Sequence, residues 1–286
     1  MSAFQPPRNS PSQRGHLERL IDQYARANGI AAERVRRWLS TMALIGTLER
    51  VTLDDRPRFP IKGGVAIELR LGLRARTTKD VDVVFRGASA ELVDALEAAF
   101  ENPYGRFSFR RKGEIERIRD TESWRLSVQV SFGGRDWQTL QLEVGPPEAD
   151  EVELVRVAIG IEDFKLNGPQ RVACLSLRYQ VAQKLHAVTE QPEDHENLRF
   201  WDLMDLILLR ALLQDLGAVR EACVEIFAAR ATHAWPPALH VAPGWAEPFT
   251  RLAVEHNFPI TDVHAAADEV RLLIGSIDVP LSVDRR

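Results

Sequence analysis

Two aspartates, Asp80 and Asp82, stand one residue apart in "RTTKDVDVVF" (76–85), at the head of an apolar run. Alternate side chains of an extended strand share a face, so both carboxylates point one way while Val81 and Val83 point the other. Like charges that close repel unless a cation lies between them. Hard divalent cations take oxygen ligands, and Mg²⁺ commonly takes one or two protein carboxylates beside substrate phosphates. The pair therefore suits a metal–nucleotide site. Taken by itself, such a pair is more often a solvent-facing strand start in which Arg76 and Lys79 balance the acids.

Three other features bear on the choice. Gly63 and Gly64 in "KGGVAI" open a helical pattern, where unsatisfied N–H groups and the helix dipole attract phosphate. The bland reading is an ordinary turn with one glycine at positive φ. Thr78, two residues before Asp80, places a hydroxyl within reach of a phosphate oxygen or of its own loop. Glu143 in "LQLEVG" (140–145) alternates with Leu142 and Val144. It is either a third acid for a two-metal displacement site, with ions ~3.5–4 Å apart, or a solvent-facing strand residue.

The elements that must carry these residues follow from periodicity. Helical patterns cover 15–28 and 31–50, with a turn at Gly29. After the short "PIK" segment at Pro60 come the glycine-led helix and a strand at 81–86. An amphipathic helix at 89–101 and strands at 106–118, 124–132 and 139–145 follow, with "GGRD" as a hairpin turn. From 175 the pattern is helical: 175–190, 198–214, 217–230, 245–256 and 260–275. This order predicts an α+β protein, a mixed sheet flanked by helices and then a C-terminal helical bundle. The expected division is a flexible N-terminus at 1–14, an α/β domain at 15–168 and a helical domain at 169–286.

Composition narrows the class. The chain has 286 residues, 45% of them hydrophobic, enough for a sizeable core. No apolar run reaches the ~20 residues of a membrane span, and the first residues do not read as a signal peptide. Cys174 and Cys223 stand alone in apolar patterns without metal-ligand spacing, as in a reduced, cytoplasmic protein. The net charge of −4 gives no global attraction to nucleic acid, although "RARTTK" (74–79) and "RFSFRRKGEIERIR" (106–119) are locally basic. His186 reads as a packing or solvent-exposed residue rather than a catalytic one. His233, His240, His256 and His264 show no metal-ligand pairing. Trp235 and Trp245 flank "WPPALHVAPGW", which reads as a loop folded over helices rather than a base-stacking lip.

The glycine pair, Arg76, Thr78, Asp80 and Asp82 as R-x-T-x-D-x-D, and the strand acid Glu143 together resemble the polymerase β-like nucleotidyltransferase core. More narrowly they resemble the AbiEii/AbiGii (MenA-type) nucleotidyltransferase toxins of bacterial toxin–antitoxin systems. "LSLRYQVAQKLHAV" (175–188), with Lys184, and "RFWDLMDL" (199–206), with Asp202 and Asp205, extend the resemblance across about 58–210. The resemblance implies Asp80, Asp82 and Glu143 on Mg²⁺ or Mn²⁺, and Gly63, Gly64, Arg76, Thr78 and Lys184 on a nucleoside triphosphate. Asp202 or Asp205 would complete the active site; sharing one helix face, either can orient Lys184. It further implies an RNA acceptor, most often the tRNA 3′ end, and a cognate antitoxin. Arg70, Arg74, Arg76 and the basic 106–119 stretch are the expected acceptor surface. Glu143 departs from the more usual Asp by one methylene. Transfer to a protein or small molecule, or a non-catalytic binding role, are the rival readings.

Overall fold

The computed structural model describes residues 11, 13–118 and 121–279; most of the expected flexible segment 1–14 lies outside them. The chain divides into two compact units. The first takes residues up to Leu73, Thr77–Pro147 and Val152–Leu175. The second takes Arg74–Arg76, Glu148–Glu151 and the chain from Ser176 onward. The chain thus leaves the first unit for good after Leu175 rather than after 168. The reason is an unforeseen hairpin, β7 (Val152–Arg156) with β8 (Arg171–Leu175).

In the first unit, α1 (Arg14–Asn28) ends on Gly29 at φ 64°, and α2 (Ala32–Leu48) is buried from Trp38 to Leu48. A two-residue hairpin, β1 (Thr52–Leu53) with β2 (Arg56–Pro57), leads to α3 (Gly63–Leu71) and β3 (Asp80–Val84). Then come α4 (Leu92–Phe100), β4 (Phe107–Arg117), β5 (Trp124–Phe132) and β6 (Arg135–Gly145). The sheet runs β3-β6-β5-β4; β3 is parallel to β6 and the other pairs are antiparallel. One face buries Val81, Val83, Leu126, Val128, Leu142 and Val144 in the core. The other carries polar residues. Ile61 bridges Val83 of β3 and Cys174 of β8, which ties the hairpin to the sheet.

The β5–β6 turn sets the register on which the polar face depends. Gly133 and Gly134 both have positive φ, 59° and 77°. A two-residue hairpin turn of matching twist requires that of both central residues. The pairing then slips by one residue: Ser131 opposes Asp136, but Val130 opposes Gln138, leaving Trp137 as the extra residue. A one-residue slip reverses which face every later side chain takes. Without the bulge at Trp137, Leu142 and not Glu143 would stand opposite Arg125. The strand begins at Arg135 instead of the expected 139 because the bulge breaks the alternation.

The second unit holds α5 (Leu177–Thr189), α6 (Trp201–Arg210), α7 (Leu216–Arg230), α8 (Ala246–Glu255) and α9 (Val263–Asp278). Asp215 and Asp262 cap α7 and α9, accepting from the N–H groups of Ala218 and Ala265 at 2.9 and 2.8 Å, the usual role of a short acid at an N-cap. Val181, Ala182 and Leu185 of α5 are fully buried, as are Leu203, Leu206, Phe249 and Val270. The Trp235–Trp245 stretch folds onto the helices as expected. Trp245 is buried and donates to the Asn197 carbonyl, and Trp235 Nε1 donates to Asp278 at 3.0 Å.

Candidate active site

The polar face of the first unit gathers the strand acids. The parallel register places Asp80 beside Gln141 and Asp82 beside Glu143. All four side chains are half-buried. Burial and the charge of Glu143 raise the pKa of Asp80, an effect that Arg125, Arg37 and Lys79 only partly offset. This is what neighbouring carboxylates without a full complement of cations do. Glu143 is tied to its cross-strand neighbour: Arg125 Nε and Nη2 both donate to its Oε1, at 2.8 and 2.5 Å. A small cleft opens beside Asp80, lined by Arg34, Arg37, Trp38, Glu68, Thr78 and Lys79.

The glycine pair meets this face directly. Gly63 has φ 62°, and a Cβ there would fall on the Asp82 carboxyl, with Cγ at 2.7 Å. A Cβ on Gly64 would lie 2.8 Å from Thr78 Oγ1. Only glycine permits both approaches. The pair of backbone hydrogen bonds from Lys62 N–H to the Asp82 carbonyl (2.9 Å) and from Val84 N–H to the Pro60 carbonyl (2.8 Å) fixes the turn against β3. Thr78 Oγ1 donates to the Asp80 carbonyl at 3.3 Å, so the hydroxyl braces its own loop.

The residues expected on helices form a separate cluster in the second unit. Lys184 Nζ donates to Asp202 Oδ1 at 2.6 Å and to Asp205 Oδ2 at 2.8 Å. Arg76 Nη2 and Nε reach Asp205 at 3.0–3.2 Å, and Arg199 Nε lies 2.9 Å from Asp202 Oδ2. Both aspartates and Lys184 are buried. Burial opposes ionisation of Asp205, yet the Lys184 ammonium and Arg76 guanidinium outweigh it and hold the carboxyl below its ordinary value. Asp202 and Asp205 therefore share the lysine.

Other sequence expectations are placed as follows. Arg70, expected on an RNA surface, is not available to one. Its side chain is 6% exposed and bonds Glu153, the Leu175 carbonyl and the Ala66 carbonyl. On the edge strand β4, Arg110 and Arg111 pair with Asp136 and Glu97, and Arg119 lies outside the described residues. His186 is buried among Phe227, His233 and Thr232, and burial with the Arg230 charge lowers its pKa to about 4. It packs as a neutral ring. Lys62 and Arg125 were not singled out in the sequence, though both stand on the acid face. The adjacency of Lys62 to the glycine pair was a visible signal; nothing local marked Arg125.

Among the described residues, no three His, Cys, Asp or Glu side chains are grouped to hold a metal ion. Asp80 and Asp82 nevertheless supply two hard oxygen ligands on one face, the number that Mg²⁺ or Mn²⁺ commonly takes from protein when phosphates supply others. The donor set fits one such ion.

A glycine turn pressed against a two-aspartate strand in a mixed sheet defines a nucleotidyltransferase core. The fold is similar to that of MenT4, a nucleotidyltransferase toxin from Mycobacterium tuberculosis H37Rv. The TM-score is 0.54 at 17% identity, over 91% of this chain and 98% of that one. The sequence matches the model of the AbiEii nucleotidyl transferase toxins of type IV toxin–antitoxin systems over residues 47–274, and the chain belongs to that family. It is a nucleotidyltransferase toxin. No curated protein matches the sequence.

Proposed function

We propose that this toxin transfers a nucleoside monophosphate from a nucleoside triphosphate to an RNA acceptor, the tRNA 3′ end, and that a cognate antitoxin restrains it. The approach of Gly63 to the Asp82 carboxyl carries this reading, since it joins a phosphate-admitting turn to the acids within one unit. Asp80 and Asp82 would hold Mg²⁺ or Mn²⁺, which when bound neutralises triphosphate charge and favours ionisation of the attacking hydroxyl. Gly63 and Gly64 admit the phosphates to the backbone at the start of α3. Glu143, once parted from Arg125, would take the proton of the acceptor hydroxyl and would turn its carboxylate toward the ion held by Asp80 and Asp82. The hydroxyl oxygen bonds the α-phosphorus, the bond from that phosphorus to the α,β-bridging oxygen breaks, and pyrophosphate leaves with the electron pair. Most of the barrier lowering comes from positioning and charge complementarity.

Lys184, Arg76, Asp202 and Asp205 are assigned to the triphosphate on the strength of the family motifs, the two aspartates holding the cations in place. The exposed Arg74 and the basic residues of β4 are candidates for the acceptor surface, where phosphate contacts would make binding salt-dependent. No described helix is long and apolar enough to cross a membrane. Cys174 and Cys223 are buried free thiols, and burial pushes both pKa values to about 12. This suits a cytoplasmic enzyme.

The test incubates the protein with purified tRNA and each labelled nucleoside triphosphate, beside total protein and small-molecule acceptors. Label at the tRNA 3′ end, absent with Asp82→Asn, is the expected result. Label that goes to protein or a small molecule, or to nothing, would overturn the acceptor assignment. Co-expression with a neighbouring small regulator should restore growth if that regulator is the antitoxin.

A further inference from the structure

Two cations share the sheet face that bears the acids, and neither belongs to the motifs that define the family reading. Lys62 runs antiparallel to β3: Ile61 bridges Val83 on the buried side. The Lys62 side chain therefore alternates to the side of Asp82. Its ammonium lies over the end of β6, where a Cβ on Gly145 would meet Nζ at 2.7 Å and Ser123 Oγ at 3.1 Å. Glycine at 145 thus leaves the room that the ammonium fills. Arg125 comes from β5, in register with Glu143, and holds one carboxylate oxygen with two N–H groups. Its side chain is 49% exposed against 22% for Glu143, so the guanidinium stands at the rim of the face.

The charges are uneven. Asp80, Asp82 and Glu143 share this face with Lys62 and Arg125, and Arg37 and Lys79 act on Asp80 from beside it; a triphosphate adds several negative charges and calls for cations that can turn to it. A guanidinium bonds phosphate oxygens by the same forked geometry it uses for a carboxylate. One group can therefore be exchanged for the other without moving the strand.

We propose that Lys62 and Arg125 are triphosphate-binding residues, and that Arg125 leaves Glu143 for the phosphates, freeing the Glu143 carboxylate as the substrate arrives. This rests on the nucleotidyl-transfer reading and adds to it how the polyanion is received and why Glu143 is paired before it comes. Lys62 acts as a point charge beside the glycine turn. Arg125 couples substrate binding to release of the acid.

The experiment measures nucleoside triphosphate and monophosphate affinity by calorimetry on the full chain without divalent metal, so that binding is read apart from chemistry. Lys62→Met and Arg125→Met should each weaken triphosphate binding by about 10–100-fold, the range for hydrogen bonds to charged groups. Monophosphate affinity should change little. Arg125→Lys should recover part of the loss. Glu143→Gln should tighten triphosphate binding, and that gain should vanish in the Arg125→Met background, because a freed guanidinium is its cause. A gain that persists there would be plain relief of repulsion and would overturn the exchange. Wild-type affinity in both Met variants, folded by their melting temperatures, would overturn the proposal. If Asp82→Asn still abolished label transfer in that case, the functional reading would stand. Wild-type protein that neither binds a triphosphate nor transfers label would overturn both.

Discussion

The two acid clusters of this molecule are built on opposite terms. On the sheet face, Asp80, Asp82 and Glu143 are half-buried, and Asp80 is held above its ordinary pKa because burial and Glu143 outweigh the nearby cations. In the helical unit, Asp202 and Asp205 are buried almost completely, yet Lys184, Arg76 and Arg199 surround them, and Asp205 is held below its ordinary pKa. In the first cluster burial and a neighbouring acid disfavour the Asp80 charge, which suits a cation arriving from outside. The second has its cations within its own unit, although Asp202 Oδ2 accepts no hydrogen bond among the described residues. Mutual repulsion among half-buried acids is what a cation-binding site retains, and a cation-compensated buried network is what a scaffold retains.

The largest effect should come from breaking the compensated cluster. Lys184→Met leaves two buried carboxylates with only Arg76 and Arg199, and removal of one partner from a buried pair costs about 3–5 kcal/mol. The surviving guanidiniums place the loss toward the lower end. Chemical denaturation would show a lower midpoint with little change in slope. A loss under about 1 kcal/mol would mean that the cluster is not the scaffold described. Loss of transfer activity in this variant is informative only beside that stability measurement.

Gly63→Ala should come next. A positive φ costs a non-glycine residue about 1–3 kcal/mol, and the added Cβ would displace the Asp82 carboxyl. The same substitution should abolish label transfer. A stable, active Gly63→Ala protein would show that turn and strand are not held at the approach seen here.

The two clusters also differ in how much of them the sequence disclosed. The sharing of a face by Asp80 and Asp82 follows from the two-residue period of a strand alone, and the helix after the glycine pair from its apolar spacing. Glu143 was legible as an acid alternating with Leu142 and Val144, but its cross-strand neighbours were not, because the bulge at Trp137 shifts the register of β6. For the same reason nothing local paired it with Arg125. In "RFWDLMDL" the three-residue spacing puts Asp202 and Asp205 on one face of α6. Their common hold on Lys184 depends on how α5 packs against α6, and Arg76 reaches Asp205 across 129 positions of chain. Hairpin β7–β8 was missed because its strands are five residues each and flank a loop rich in Gly and Pro. Local pattern predicts direction within an element; partners between elements come from tertiary packing.

Opposite pKa displacements give opposite pH signatures, a sharper form of the comparison. Asp205 has a lowered folded-state value, so its stabilisation is present above the unfolded value near 3.8. It is lost as pH falls through the folded value. Asp80 has a raised folded-state value. Its contribution is complete below the unfolded value and is lost as pH rises through the folded one. Melting temperatures from pH 3.5 to 8 should therefore show Asp205→Asn well below wild type at pH 7, with the gap closing only in strong acid. Parallel curves for Asp205→Asn and Asp80→Asn would contradict the opposite displacements of the two groups.

The smallest stability effect belongs to Asp80→Asn, and its sign is the decisive part. Most substitutions destabilise, commonly by about 1 kcal/mol. Removing a carboxylate that its surroundings disfavour relieves repulsion from Glu143 and the cost of burying a charge. The variant should melt at or slightly above the wild-type temperature at pH 7, the difference shrinking toward pH 4, while label transfer is lost. Saturating Mg²⁺ should raise the melting temperature of the wild type more than that of the variant, because binding to the native state stabilises by mass action. Should Asp80→Asn instead melt well below wild type at neutral pH, the acid would be a structural ion-pair partner, and the contrast between the two clusters would disappear.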